Sequence, residues 1–182
     1  MEYFVTPFLS NAFMQHALAA GIDVTHVDTH MGTVIHPKFA PGYVQLAIQQ
    51  RLPAMIPRGE AAHFEQMGMD PAAAASTAEF ICQLEEQGQP LFDQVSGMPL
   101  DQPEGQLEIA KKVLGELPAG LTHFVLHPAA DTPELRAVAP DWPSRVANYQ
   151  TFLRQELREF LRNAGIQVIG YRALRDTIRE CK

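Results

Sequence analysis

The chain has 182 residues, 46 % hydrophobic and 19 % charged, a balance that fits one globular domain with a full hydrophobic core and argues against disorder. Its net charge of -7, with no block of Lys or Arg, excludes a nucleic-acid surface and points to a small or neutral partner. No apolar run approaches the roughly 20 residues of a membrane span, and the start, Met1-Glu2-Tyr3-Phe4, lacks the basic region of a secretory signal.

Residues 8 to 20 read as a helix, with Leu9, Phe13, Met14, Ala17 and Leu18 on one stripe and Gly21 as its stop. The β-branched run that follows predicts a strand over 22 to 29, running out into a turn at Gly32. Alternation along it puts Val24, His26, Asp28 and His30 on one side and Thr25, Val27 and Thr29 on the other. At about 3.3 Å per residue, the Cα atoms of His26 and His30 would lie roughly 13 Å apart, too far to share one ion. Ligands in α/β arrays gather at the carboxyl ends of strands, which favours His30 as a ligand, Asp28 as a ligand or its orienting partner, and His26 as a deeper supporting group. The alternative is three polar side chains facing water.

His36-Pro37 opens a second helix over 38 to 51, ended by Leu52-Pro53, and 54 to 56 makes a short apolar strand before the turn at Pro57-Arg58-Gly59-Glu60. Residues 60 to 69 read as weak helix or loop. Asp70-Pro71 starts an Ala-rich helix to about Glu86, stopped by Gly88. A strand is expected over 91 to 95, a helix over 104 to 116, and the clearest buried strand over 121 to 126, ending in His127-Pro128. A long Pro-punctuated loop, 129 to 143, precedes one helix from Ser144 to Asn163, a final strand over 166 to 169 and a tail helix over 173 to 179. About five strands alternating with helices imply a mostly parallel sheet of the α/β class, too few for the eight-stranded barrel that takes about 250 residues.

His127 leaves its strand at the same end as His30 leaves its own, so the two imidazoles are expected to converge. Pro128 holds His127 in an extended conformation. His123 reads as a core-edge residue; His16, His36 and His63 face solvent. Arg58, at the same edge, is a candidate for binding a substrate oxygen or orienting a carboxylate, or is a surface Arg. Trp142 offers, with Asp131, Asp141 and Arg145, either the platform that sugars use or a plug that docks the long loop. Cys82, inside a helix, and Cys181 form no disulfide framework or zinc spacing, so a reducing cytoplasm is expected. Neither a nucleophile elbow nor a Gly-rich phosphate loop occurs.

Thr25-His26-Val27-Asp28-Thr29-His30-Met31-Gly32-Thr33, then Leu126-His127-Pro128, then Gly165-Ile166 and Ile169-Gly170-Tyr171-Arg172-Ala173-Leu174, resemble in order the later part of the YdjC-like (ChbG/HpnK) carbohydrate deacetylases. The resemblance runs from about Ala12 to Arg175. It implies an irregular (β/α) barrel related to polysaccharide deacetylases, which removes acetyl groups from N-acetylated sugars with a divalent metal, Mg²⁺ or Zn²⁺. Carried over, His30 is the metal ligand, Asp28 and His26 its companions, and His127 a catalytic or substrate-contacting histidine. Such members begin with a strand ending in Asn-Ala-Asp-Asp and carry a further His ligand, and neither occurs here. The expectation is therefore one domain over 1–182 that is the carboxyl-terminal part of an incomplete barrel, with about 100 residues missing by the length a barrel takes. It would offer one or two of about three metal ligands. The open sheet edges of such a piece imply a homo-oligomer or completion by the missing amino-terminal segment. Two other readings are a non-catalytic remnant or partner-completed subunit, and an amidohydrolase-like metal hydrolase resting on Asp28-Thr29-His30 alone.

Overall fold

The structure, a computed structural model, describes residues 5–29, 32, 34 and 39–180, with side chains from residue 11 onward. Two compact units divide the chain: Met1–Phe92 with Ile169–Lys182, and Asp93–Val168.

The first unit holds helices α1 (Val5–Ala19), α2 (Ala40–Gln50), α3 (Ala61–Gln66) and α4 (Pro71–Glu86). Helix α4 starts where its sequence demands. The Asp70 carboxylate accepts from the amides of Ala72 and Ala73 at 3.0 and 3.3 Å, and Pro71 occupies a position whose N–H would be unsatisfied anyway. Residues 60 to 69, ambiguous in sequence, contain α3 as one short turn of helix whose Phe64 is buried. Helix α2 ends on Arg51 in the left-handed region at φ 50°, its amide bonding back to Ala47 and Ile48 carbonyls.

The strand expected over 22 to 29 is reduced to one parallel bridge, Val27 to Ala54, in which the Val27 amide donates to Pro53 O at 3.0 Å. A second bridge joins Pro57 to Phe92, with Arg58 donating to Phe92 O at 2.7 Å and Phe92 to Ile56 O at 3.0 Å. Strict alternation fails because the Val24 amide turns back on Ile22 O at 3.0 Å; Val24 and Val27, expected on opposite faces, both pack on Met14, Leu46 and Leu52. A second face of Val27, with Ile56, meets Tyr43, Val44, Ala47, Ala54 and Leu84.

The second unit carries the regular sheet, β1 (Gln94–Gly97) paired in parallel with β2 (Thr122–Val125), Gln94 opposite Thr122 and Gly97 opposite Val125. Helix α5 (Gln106–Gly115) links them, followed by α6 (Pro133–Val138), α7 (Trp142–Phe152) and α8 (Gln155–Asn163). Their core is Met98, Ala110, Leu114 and Leu157, closed by Phe124, Leu126, Phe152 and Ile166. The expected long loop contains α6, capped by the Thr132 hydroxyl on the Leu135 amide at 3.2 Å. The expected single helix over Ser144 to Asn163 breaks at Leu153 and Arg154. At 100° per residue, Phe152 and Leu157 would sit about 140° apart on one continuous helix. The break lets both face the same core, and leaves Tyr149 and Leu153 exposed.

The final strand expected over 166 to 169 is not formed: these residues take no regular structure, and Val168 is 77 % exposed. Of the expected incomplete barrel of about five strands, the described residues bear out the α/β class and the parallel pairing, but their named sheet has two strands and shows no barrel. The chain closes with α9 (Tyr171–Glu180), which belongs to the first unit. No helix among the described residues is long and apolar enough to cross a membrane.

A Cβ at Gly97 would lie 2.8 Å from the Val125 carbonyl oxygen and 3.1 Å from its Cβ, and a paired backbone cannot swing aside. Gly97→Ala is expected to lower stability in urea denaturation by about 1–3 kcal/mol by forcing β1 and β2 apart.

Candidate functional site

In the first unit the chemistry-bearing stretch after α1 is fixed from two sides. The Tyr43 hydroxyl donates to Val27 O at 2.9 Å and accepts from the Met55 amide at 2.9 Å, so α2 clamps the backbone just ahead of Asp28. From the other side, α9 delivers Tyr171, whose ring stacks on His26 at 3.9 Å and 7°, with Phe92 edge-on to Tyr171 at 5.8 Å. The Thr25 hydroxyl lies 3.0 Å from His26 Nδ1. His26 is therefore a half-buried, packed ring.

Asp28 is exposed, and Thr29 beside it is only 2 % exposed, its hydroxyl without a hydrogen-bond partner among the described residues. Burial, with the Asp28 charge adding to it, pushes the Tyr43 and Tyr171 phenols far above their usual range, so both stay protonated donors. His30 and His36 lie outside the described residues. Arg58 Nε and Nη2 donate to Glu85 Oε1 on α4 at 3.0 and 2.5 Å, an exposed pair that gives this guanidinium a carboxylate to orient.

The tie that sequence reasoning missed is Asp23. Its carboxylate pairs with Arg172 and with the buried Arg175 of α9, and Arg175 Nη1 also donates to Val24 O at 3.2 Å. The hydrogen bond from Arg172, then that from Arg175, holds the Asp23 carboxyl below the usual carboxylate range. The signal was present in Tyr171-Arg172-Ala173-Leu174-Arg175, where two arginines three apart share a helix face.

In the second unit His127 follows β2, as expected. Its backbone amide donates to Asn148 Oδ1 at 3.4 Å, and the Ala129 amide donates to Arg145 O at 3.2 Å, so α7 grips the chain on both sides of Pro128. The residue is half-buried; its ring Nδ1 is fully buried, with no hydrogen-bond partner among the described residues. Arg145 binds Asp141 through two nitrogens at 2.8 and 2.9 Å. That hydrogen bonding, aided by charge from His127, keeps the Asp141 carboxyl low.

Trp142, the expected sugar platform, is half-buried at the start of α7, and the Arg136 guanidinium sits 4.5 Å over its ring. Arg136 is itself clamped by Asp131 through two bonds of 2.7 Å. His123 is half-buried in β2, while His16 and His63 are exposed, as expected. Among the described residues no three His, Cys, Asp or Glu gather as metal ligands, so the described donors fall short of a metal centre.

The family model for the YdjC-like protein matches residues 11–163. A carbohydrate deacetylase of Thermus thermophilus is 33 % identical over 159 residues, covering 85 % of this chain and 54 % of that protein. Among solved structures, a proposed cellobiose-phosphate cleavage protein from Enterococcus faecalis V583 superposes with a TM-score of 0.56 at 16 % identity, over 86 % of this chain and 55 % of the other. The chain thus spans about half the length of the relatives it matches.

Asp23→Asn is expected to loosen α9 from the segment before His26. A carboxyl held low in the folded state contributes stability above its ordinary pKa of 3.8, and that contribution disappears as pH falls through the folded value. The melting temperatures of the wild type and Asp23→Asn should therefore differ at neutral pH and converge in acid.

Proposed function

The chain belongs to the YdjC-like protein family, and from that premise we propose that it serves a deacetylase-type hydrolase acting on N-acetylated carbohydrates. The observation that carries the proposal is the setting of His127. It stands at the carboxyl end of a parallel strand, its backbone held by α7 and its Nδ1 out of water. A histidine fixed at that end of a sheet can deliver a proton to one point in a cleft.

In the reaction, a water oxygen adds to the acetamide carbonyl carbon, the C–N bond breaks, and the nitrogen leaves as the amine, acetate being the other product. His127 is the group that protonates that nitrogen. Asp28, exposed beyond the clamped Val27 carbonyl, serves as the carboxylate that orients or deprotonates the water, or as a metal ligand with His30. A divalent ion of the kind the family resemblance implies, Mg²⁺ or Zn²⁺, would supply carbonyl polarisation when bound. The described donors do not complete its ligand set. Arg58 and Trp142 are the substrate-contacting candidates, the first already facing Glu85 and the second covered by Arg136. His26 supports the Asp28 segment through its stack on Tyr171. The exposed, unbridged Cys82 fits a reducing compartment, and we place the protein in the cytoplasm.

Acetate release from N-acetylated sugar oligomers, measured with added Mg²⁺ or Zn²⁺, tests the proposal. His127→Gln is expected to lower kcat by about 10²–10⁴-fold with little change in KM, the loss typical of a removed general acid. Unchanged release would take His127 out of the reaction. Calorimetric titration of Zn²⁺ into the chain is expected to show weak binding, since a catalytic ion takes about three protein ligands. Tight binding that His30→Ala abolishes would instead reveal a complete ligand set.

A further inference from the structure

Two buried amides stand behind His127, and the reaction described above does not use them. Gln106, the first residue of α5, is 4 % exposed, and Asn148, midway along α7, is 0 % exposed. Gln106 Nε2 donates to Gln102 O at 2.5 Å and faces Pro99 O at 3.4 Å. Its Oε1 accepts from Asn148 Nδ2 at 2.8 Å, and Asn148 Oδ1 accepts from the His127 amide at 3.4 Å.

Each amide has one orientation that satisfies its neighbours. Turning Asn148 would set its NH₂ against the His127 N–H, and turning Gln106 would set its oxygen against two carbonyl oxygens. The relay is therefore directional, each donor in turn pointing from His127, just past β2, through α7 and α5 to the loop after β1. Burying amides where apolar side chains would pack makes no sense as core filling alone, because every unmet polar atom there costs about 1–3 kcal/mol. Satisfied networks of this kind fix geometry.

We infer that Gln106 and Asn148 are positioning residues for His127, setting where its ring stands at the strand end. The inference rests on the deacetylase reading for the use of His127, but not for the relay itself. Asp141, which feels the charge of His127, is paired with Arg145 on α7 rather than with either amide of the relay.

The test is nuclear magnetic resonance of the full chain, following the His127 ring signals and the exchange of its backbone amide, beside the acetate-release assay. Gln106→Met keeps the volume and removes the amide. It is expected to shift the His127 ring signals and speed its amide exchange, to leave His16 and His63 unmoved, and to lower kcat by about 10- to 100-fold with KM nearly constant. Thr151→Ala, equally buried on α7 but outside the relay, should leave His127 in place. Should Gln106→Met fail to fold, Asn148→Ser decides by the same readout.

A folded variant whose His127 signals match the wild type overturns the inference, whatever its activity. Moved His127 signals with unchanged acetate release keep the relay and overturn the catalytic part given to His127. A wild type that releases no acetate removes the deacetylase reading, and the His127 signals still judge the relay.

Discussion

The Tyr43 hydroxyl donates to the carbonyl of Val27 and accepts from the amide of Met55, closing two extended segments that otherwise share a single bridge. The residue is 6 % exposed, so neither half of the exchange can be handed to water without a cost of about 1–3 kcal/mol. The position of His26, Asp28 and Thr29 depends on it, because the backbone there has too little ladder to hold itself. Helix α9 then works on a segment already in place: Arg172 and Arg175 draw in Asp23, and Tyr171 lies flat on His26. Side chains do here what strand pairing does in a regular sheet.

The second unit reverses that division of labour. Backbone pairing between β1 and β2 carries the chain as far as Val125, apolar packing of Phe124 and Leu126 anchors the strand, and side chains take over only where the strand stops. Among the described residues no strand neighbour meets the amides of His127 and Ala129, and α7 provides an acceptor for each, Asn148 for one and the Arg145 carbonyl for the other. Asp28 and His127, the two groups proposed for the reaction, each stand just past the last paired stretch of their segment. There the backbone is free to aim a side chain but must be steadied by something other than the sheet.

Local signals were legible in the sequence and tertiary ones were not. Asp70-Pro71 marked the start of α4, and the apolar run over 121 to 126 marked β2, because caps and hydrophobic periodicity act within a few residues. Thr132-Pro133 carried the same kind of capping signal and was hidden by the surrounding prolines, so α6 went unread. The helical spacing over Ser144 to Asn163 was real on both sides of Arg154, but periodicity alone does not show that Phe152 and Leu157 must meet one core. At the site, the place of His127 followed from its position after a strand. Tyr43, Asp23, Gln106 and Asn148 did not, since their partners lie far along the chain: Gln106 and Asn148 are 42 residues apart, Asp23 and Arg175 152.

The covering of the Trp142 ring bears on the sugar contact proposed for it. Arg136 lies over it and is held there by two hydrogen bonds that it donates to Asp131. A sugar that stacks on that face must first evict the guanidinium, so its affinity is the difference between two rival contacts rather than the strength of one. The eviction would also free a side chain of α6, the short helix that carries Arg136.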